Sequence, residues 1–329
     1  MAKVMVTGSA GFIAGHLVDK LIAEGHEVIG VDDLSGGVME NVNPKSRFFR
    51  EDLRSVSRIE RLFEAERPEI VFHLGCNAAE NKAQFSPIDI TSRNYSAFIN
   101  TLTPFIKYGG KRFIFTSSIA VYGALQTPFK ETDKPEPEDL YGITKLAAEQ
   151  TLKVMSEVHG FEYVIARPHN VYGPRQNMRD PYRNVVTIWM NSILRGDSVY
   201  IYGDGSQVRQ FSYIDDVVDQ LAKCLELKEA NKTFNIGSRY PTTLKDLFYS
   251  VQHATGYSID PIYLPLRPQE VMEAIADHTE SEKWLGFAKE RLGTGLGTTW
   301  EWVKEQGPQV PIYTPLELES DKIPQNWLK

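Results

Sequence analysis

The sequence predicts an α/β protein in which a doubly wound parallel sheet is followed by a smaller C-terminal domain. In the first half of the 329 residues, short apolar runs alternate with segments of helical periodicity, which is typical of βαβ units. After about residue 170, proline and glycine become frequent and the alternation weakens. We therefore expect a first domain over residues 1–170, with segments near 210–238 returning to it, and a second domain over 171–329.

Clusters of apolar and β-branched residues predict the early strands, and 3.6-residue periodicity predicts the helices. The predicted strands are Val4–Val6, Glu27–Val31, Arg47–Arg50, Ile70–Leu74, Arg112–Phe115, Tyr163–Ala166 and, later, Thr233–Asn235. The predicted helices are Ile13–Glu24, Val56–Glu66, Ile90–Lys107, Tyr141–His159, Val185–Arg195, Ile214–Leu227 and Leu244–Gly256. Four prolines between Gly307 and Lys329 predict an extended tail.

Composition narrows the classes of function. The net charge is −7 and no run of Lys or Arg occurs, which argues against a nucleic-acid partner. No stretch approaches the 18 apolar residues of a membrane span, and Met1 leads directly into the first strand, so we expect a cytoplasmic protein without a membrane partner. Cys76 and Cys224 fit neither a disulfide framework nor a metal site, and we expect both to be buried as small apolar side chains.

A glycine-rich turn, Thr7–Gly15, lies between the first strand and the first helix. Gly8 permits the tight turn, and Gly11 lets the backbone approach a pyrophosphate at the positive end of the helix. Ala14 holds the third position of the pattern, where a small residue allows close packing of helix and strand. This strand–turn–helix context predicts the dinucleotide-binding, or Rossmann, arrangement.

Two acidic residues follow the second strand. Asp32 and Asp33 lie 24 and 25 residues after Gly8, where a carboxylate can accept hydrogen bonds from an adenosine ribose. The same charge would repel a 2′-phosphate, which favours NAD over NADP. Alternatively, the two carboxylates only cap the turn that leads into Ser35, an explanation that suits Asp33 better than Asp32.

A tyrosine and a lysine define the candidate catalytic centre. Tyr141 and Lys145 lie four residues apart and therefore on one face of a helix. The ammonium group favours the phenolate and would lower a pKa that is ordinarily near ~10, and an oxidised nicotinamide would act in the same sense. Upstream, Thr116–Ser118 follow a strand whose carboxyl end should face the ligand crevice, although these hydroxyls could instead cap a loop.

With these motifs, the chain resembles the extended short-chain dehydrogenase/reductase family, and within it the nucleotide-sugar epimerases and dehydratases, over residues 3–305. The resemblance implies an NAD-binding first domain, a second domain that binds a UDP-sugar, and a homodimer. Other segments that carry it are Glu51–Leu53, Phe72–Leu74, Arg167–Gln176, Tyr202–Gly205, Tyr213–Val217, Phe234–Gly237 and Arg267–Glu270.

The resemblance also implies roles for individual residues, and it implies a site without a bound metal. The catalytic residues are Ser118, Tyr141 and Lys145. The NAD-binding residues are Gly8, Gly11, Phe12, Ile13, Asp32, Asp33, Leu34, Ser35, Gly37, Asp52, Leu53, Leu74, Gly75, Asn94, Ser117, Tyr141, Lys145 and His169. The substrate-binding residues are Ser118, Tyr141, Asn170, Arg209, Arg267, Glu270 and Ala274. The two late arginines would hold the diphosphate and Glu270 would face the ribose. For Arg175, Arg179 and Arg183, a solvated surface and a binding role are both open.

The residues after Ser118 indicate the reaction. The resembling dehydratases carry Asp-Glu there, and the decarboxylases place a Glu in this region, whereas Ile119 and Ala120 cannot exchange protons. The resemblance therefore implies C4 epimerisation, in which Tyr141 removes the 4-hydroxyl proton and hydride passes to NAD and back to the other face. A keto-sugar nucleotide reductase or another nucleotide-sugar epimerase is the alternative. A non-catalytic dinucleotide-binding scaffold is disfavoured because Tyr141 and Lys145 are both present.

Three positions bear on the sugar. The loop Gly75–Lys82 does not match a sugar specificity of the family, and Gln269 replaces a usual glycine. Ala274 aligns where a tyrosine in the family restricts the pocket to plain hexoses, so an alanine would leave room for a 2-N-acetyl group. Alternatively, Ala274 faces the core and the Cys76–Lys82 loop closes that space.

Overall fold

The computed structural model describes residues 1–183 and 185–328. The strands are β1 (Lys3–Thr7), β2 (Glu27–Asp32), β3 (Arg47–Arg50), β4 (Ile70–His73), β5 (Arg112–Thr116), β6 (Glu162–Pro168), β7 (Asn170–Tyr172), β8 (Tyr200–Tyr202), β9 (Val208–Tyr213), β10 (Lys232–Ile236), β11 (Pro241–Thr243), β12 (Ile262–Leu264) and β13 (Glu273–Ala274). The helices are α1 (Phe12–Ala23), α2 (Val56–Glu66), α3 (Pro87–Thr91), α4 (Ala97–Lys107), α5 (Leu140–His159), α6 (Val185–Arg195), α7 (Ile214–Lys223), α8 (Leu244–Thr255), α9 (Thr279–Leu285) and α10 (Leu292–Gln306). Across these described residues, no helix combines the length and the apolar character that crossing a membrane requires.

The central sheet has seven strands in the order β10-β6-β5-β4-β1-β2-β3. All of its neighbours pair in parallel. The chain moves outward from β1 in one direction through β2 and β3, and in the other direction through β4, β5 and β6. The strand order therefore reverses between β1 and β4, which is where doubly wound sheets open a ligand crevice at their carboxyl edge. The predicted α/β fold class is confirmed.

Helices cover both faces of this sheet. On one face, α1 and α7 contribute Leu17 and Leu221, both fully buried, to a cluster with the strands. On the other face, α2, α4 and α5 contribute Phe63, Phe105 and Leu152. The two apolar layers explain why the strands read as continuous apolar runs in the sequence, since both of their faces are buried.

The second lobe has a separate core around Trp189, Phe248 and Trp300, which α6, α8 and α10 bring together. Strands β7, β9, β11 and β13 form a small sheet beside it, and β8 pairs with β12. The sequence does not predict α10, because three glycines weaken its helical signal. One of them, Gly295, packs so closely against the ring of Tyr172 that a Cβ would collide with the hydroxyl group.

A C-terminal tail, Gly307–Leu328, follows α10. Apart from one short 3₁₀ turn at Gln325–Trp327, it lacks regular structure. It is nevertheless packed against the body of the protein, because Ile323 and Trp327 are buried with Phe85 and Tyr182. The tail therefore contributes to the architecture and does not project from it.

Candidate active site

A cleft of about 1010 Å³ opens where the carboxyl edge of the central sheet meets the second lobe. Ligand pockets commonly measure roughly 300–1,000 Å³, so this cleft has room for more than one small ligand. Of the residues to which the sequence assigned a site role, all but Asn94 line this cleft.

The glycine turn forms a cradle at the base of the cleft. Gly8 has a φ of 71°, and a Cβ there would lie 2.9 Å from the Cα of Gly75. A Cβ at Gly11 would lie 2.9 Å from the carbonyl oxygen of Gly8. No side chain caps the start of α1, so its first amide groups are available to an anionic group. This geometry suits the pyrophosphate of a dinucleotide.

Both acidic residues after β2 take part in turn structure. Asp32 is 7% exposed and accepts hydrogen bonds from the amides of Ala10 at 3.1 Å and Leu34 at 2.7 Å. Asp33 accepts from the amide of Ser35 at 2.8 Å and pairs with Arg93 at 3.0 Å. Burial raises the pKa of Asp32, although the two amides act against it. The capping explanation thus describes both residues, while Asp32 still lines the cleft.

The helix predicted over Ile90–Lys107 is interrupted at Asn94, one of the predicted cofactor-binding residues. This residue lies in a π-helical turn, Ser92–Ser96, that joins α3 to α4. Its Oδ1 accepts from the Asn77 amide at 2.8 Å, and its Nδ2 donates to Thr144 Oγ1 at 3.3 Å. Asn94 therefore fastens the loop after β4 to α5, and its buried side chain does not line the cleft.

The predicted catalytic residues meet at one end of the cleft. Asp139 caps α5 by accepting from the Gly142 amide at 2.7 Å, which fixes where the helix starts. Lys145 donates to the carbonyl oxygen of Thr116 at 2.8 Å, and its Nζ lies 5.7 Å from the centre of the Tyr141 ring. Ser118 caps the next turn by accepting from Ala120 at 3.1 Å, and its hydroxyl also interacts with Tyr141.

The protein alone does not activate Tyr141 in the predicted way. Burial raises the pKa of Tyr141 well above its usual value, and the neighbouring Cys76 and Glu80 act in the same direction. The interaction with Ser118 opposes them but does not outweigh them. The expectation that Lys145 lowers this pKa is therefore not met by the groups of the chain, because burial and nearby acidic groups outweigh it.

The loop after β4 contributes two groups that sequence reasoning missed. The side chain of Glu80 is exposed to the interior of the cleft, where protein atoms surround it. It faces the carboxyl group of Asp139. Burial and Asp139 raise the pKa of Glu80 to about 8, against the effect of Arg209. Cys76 lines the cleft near Tyr141, whereas the sequence predicted that it would be buried like Cys224.

The cleft also holds a charged triad of Arg209, Arg267 and Glu270. Glu270 pairs with Arg209 at 3.0 Å and with Arg267 at 2.8 Å. The guanidinium group of Arg267 lies 4.6 Å from the centre of the Tyr202 ring. The two arginines thus converge on one carboxylate and retain a net positive charge, which suits an anionic ligand. Asn170 lines the same cleft and donates to the carbonyl oxygen of Gln210 at 3.3 Å.

The three arginines of the 175–183 segment are engaged and not simply solvated. Arg175 pairs with Asp19 at 2.6 Å and donates to the carbonyl oxygen of Asn41 at 2.6 Å, which ties the two lobes together. Arg179 donates to Gln309 at 3.1 Å. Arg183 pairs with Asp180 at 2.5 Å and lines the cleft.

Ala274 lies partly on the wall of the cleft and partly against the core, which were the two alternatives for this residue. It lies in β13, pairs with β9 opposite Arg209, and lines the cleft. It also packs against the small apolar cluster that contains Tyr122 and Phe129. Its side chain is therefore at the boundary between the core and the cleft.

Comparisons with known proteins agree with this arrangement. The NAD dependent epimerase/dehydratase family matches residues 4–237. UDP-glucose 4-epimerase from Mycolicibacterium smegmatis is 30% identical over 314 residues, which covers 92% of this chain and 99% of that protein. The structure of UDP-glucose 4-epimerase from Thermotoga maritima with UDP-glucose is 39% identical, with a TM-score of 0.88 over 92% of this chain and 99% of that one. UDP-N-acetylglucosamine 4-epimerase from Methanobrevibacter ruminantium is 31% identical, with a TM-score of 0.86 over 93% and 99%.

Proposed function

The chain belongs to the NAD dependent epimerase/dehydratase family, and we propose that it epimerises a UDP-sugar at C4 through a transient 4-keto intermediate. The observation that carries the proposal is the meeting of Tyr141 and Ser118 in a cleft that Arg209 and Arg267 also line. A base for a sugar hydroxyl and a site for a diphosphate are thus joined by one cavity. The serine is followed by Ile119–Ala120, which offer no acid or base for eliminating water.

NAD is the cofactor of the family, and the residues of the cleft fit it. The cradle of Gly8 and Gly11 would hold its pyrophosphate, and Asp32 would accept from its adenosine ribose, because each carboxylate oxygen can accept more than one hydrogen bond. When bound, NAD supplies a hydride acceptor and donor together with the positive charge of its oxidised ring. The remaining chemistry is assigned to side chains of the protein.

In this proposal, Tyr141 accepts the proton of the sugar 4-hydroxyl and Ser118 bridges the two by hydrogen bonding. Lys145 is held by the carbonyl oxygen of Thr116 at 2.8 Å, and its Nζ lies 5.7 Å from the centre of the Tyr141 ring. Arg209 and Arg267 exchange Glu270 for the diphosphate of the substrate, which holds the nucleotide while the sugar turns. The proposed reaction requires no second redox substrate.

The sugar itself is proposed from Ala274. The methyl group of Ala274 leaves the cleft wall open at its position, and a structural relative acts on an N-acetylated sugar according to its name. We expect turnover of UDP-glucose and of UDP-N-acetylglucosamine. If the Cys76–Lys82 loop closes this space instead, only the plain hexose will be converted.

We also propose a cytoplasmic homodimer. Helix α5 exposes Ile143, Val154 and Val158 at 49%, 59% and 68%, and their spacing places them on one face. An apolar stripe of this kind on a long helix supports a helix-to-helix contact between two copies. Light scattering coupled to size exclusion will measure the mass of the assembly.

The test is a panel of nucleotide sugars incubated with the purified protein, with products separated by chromatography. We expect a C4 epimer with no net consumption of NADH, whereas stoichiometric consumption would indicate a reductase. Tyr141→Phe should lower kcat by roughly 10²–10⁴-fold because it removes the base. Tyr249→Phe is the matched control, since Tyr249 is 53% exposed and lies outside the cleft lining. Near-native turnover by Tyr141→Phe would contradict the mechanism.

A further inference from the structure

The tail spans the mouth of the cleft and contacts both lobes. Five of its residues line the cleft beside Trp327: Ile312, Thr314, Pro315, Glu317 and Asn326. The tail begins beyond α10, in the second lobe, where Gln309 accepts from Arg179 at 3.1 Å and its amide donates to Asn191 at 2.9 Å. From there it crosses to the sheet domain and returns.

Its crossing point is the loop and helix that follow β4. Lys82, a buried lysine of the loop near Tyr141, donates to Thr314 Oγ1 at 2.7 Å. Glu317 accepts from the first amides of α3, those of Ile88 at 2.7 Å and Asp89 at 2.8 Å. A carboxylate at a helix N-terminus satisfies donors that the helix itself leaves unpaired. The middle of the tail is therefore fixed by charged and polar contacts.

Its return point is the diphosphate end of the cleft. Asn326 Oδ1 accepts from the hydroxyl group of Tyr202 at 2.9 Å. The ring of Tyr202 in turn carries the guanidinium group of Arg267, 4.6 Å from its centre. Trp327 is buried between Phe85 and Tyr182, one from each lobe, at ring distances of 6.4 Å and 5.0 Å. A continuous set of contacts thus leads from the tail to an arginine of the charged triad.

We infer that the tail is a fixed wall of the substrate site, in which Asn326 acts as a positioning residue that orients Tyr202 and Arg267 toward the nucleoside diphosphate of the substrate. The inference rests on the proposed function, since it takes a UDP-sugar as the ligand. It makes the substrate affinity of the second lobe dependent on Asn326, whose contact with Tyr202 involves neither Tyr141 nor the glycine cradle.

The comparisons leave part of this chain unmatched. The relatives from M. smegmatis and T. maritima are each matched over 99% of their own length but cover 92% of this chain. About 8% of this chain therefore has no counterpart in either, a share similar in size to the tail. The base of the cleft, by contrast, lies within the residues that match the family.

The experiment measures binding of UDP by calorimetry to the full-length protein and to the variants Asn326→Ala, Tyr202→Phe and their combination. Loss of one neutral hydrogen bond should weaken UDP binding by about fivefold in each single variant. Because both changes break the same contact, the affinity of the combined variant for UDP should also be about fivefold lower than that of the parent, and no lower. Glu319→Gln, an exposed tail residue, is the control and should bind like the parent.

Steady-state kinetics on the converted sugar separate positioning from a structural role. We expect Asn326→Ala to raise KM while kcat and the amount of retained NAD stay within about twofold. Equal UDP affinity in the parent and Asn326→Ala, or a combined effect equal to the product of the single effects, would overturn the inference alone. Failure of the parent to bind UDP at all would overturn the proposed function, and the inference with it.

Discussion

Glu149→Ala should destabilise the protein more than the removal of any surface charge. Glu149 and Arg167 are each 1% exposed and form a two-point ion pair, with Arg167 Nη2 at 2.5 Å from Oε2 and Nε at 2.8 Å from Oε1. Ser117 donates to the same carboxylate at 2.5 Å. The pair therefore joins β5, α5 and β6 directly beneath the catalytic end of the cleft, one helical turn from Lys145.

The magnitude follows from the burial of the partner that remains. Burial disfavours the charged guanidinium, yet Glu149 raises the pKa of Arg167, so the arginine stays charged in the folded protein. After Glu149→Ala, Arg167 would keep the hydroxyl group of Tyr122, at 2.6 Å, as a neutral hydrogen-bond partner. Breaking a buried pair in this way costs roughly 3–5 kcal/mol, because it leaves an uncompensated charge. Most exposed pairs contribute only about 0–1 kcal/mol.

Equilibrium unfolding in urea will measure the free energy of unfolding of the parent, of Glu149→Ala and of Glu69→Ala. Glu69 pairs with Lys111 at 2.7 Å, and both side chains are largely exposed, at 46% and 72%, so this variant is the matched control. Replacing both buried partners by Glu149→Leu and Arg167→Met should recover most of the loss. A loss below about 1 kcal/mol for Glu149→Ala, or one equal to the control, would refute the reasoning.

Three further predictions concern the cofactor, the substrate and pH. Nucleotide released by denaturing the purified protein should be NAD, because Asp32 would repel a 2′-phosphate; recovery of NADP would contradict that role. Arg209→Ala and Arg267→Ala should each weaken UDP-sugar binding about ten- to a hundredfold without loss of NAD, as measured by calorimetry and by the absorbance of released nucleotide. Burial lowers the pKa of His73 and His169 to about 3 from an unfolded value of 6.5, so their contribution to stability is full above pH 6.5 and is lost as pH falls toward 3. Urea unfolding at pH 7 and pH 5 should show the decrease, and a higher stability at pH 5 would reverse the sign of the argument.

The parts of the protein that the sequence predicts well are those whose physics is local. The turn from Gly8 to Gly11 needs its glycines because of contacts within the first βαβ unit, and the spacing of Tyr141 and Lys145 fixes their relation on one helix. Apolar runs similarly define strands that are buried on both faces. Such features produce a recognisable pattern of glycines, helical spacing or apolar runs, so the fold class and the order of the site residues could be predicted.

Other features depend on which segments the fold brings together. Glu80 is an ordinary loop residue in the sequence, and its pKa rises because the fold surrounds it with protein inside the cleft, opposite Asp139. Asn94 lies in a π-helical turn, which hydrophobic periodicity does not reveal in the sequence. In this turn its side chain accepts a hydrogen bond from the amide of Asn77. The tail lacks periodicity altogether, and partners that are distant in sequence, such as Phe85 and Tyr182 around Trp327, give it a defined position. No pattern in the sequence predicts contacts of this kind.

The electrostatics of Tyr141 link its chemistry to the cofactor. Burial, Cys76 and Glu80 all favour the neutral phenol, so the protein by itself keeps the base protonated at neutral pH. A positive charge beside the ring favours the phenolate, and an oxidised nicotinamide carries that charge while a reduced one does not. Linkage is reciprocal, so a phenolate at Tyr141 must favour the oxidised cofactor by the same free energy. Under the proposed function, the acidic surroundings of Tyr141 would confine a competent base to the form of the protein that holds oxidised NAD. This is the state in which an epimerase begins and ends each cycle.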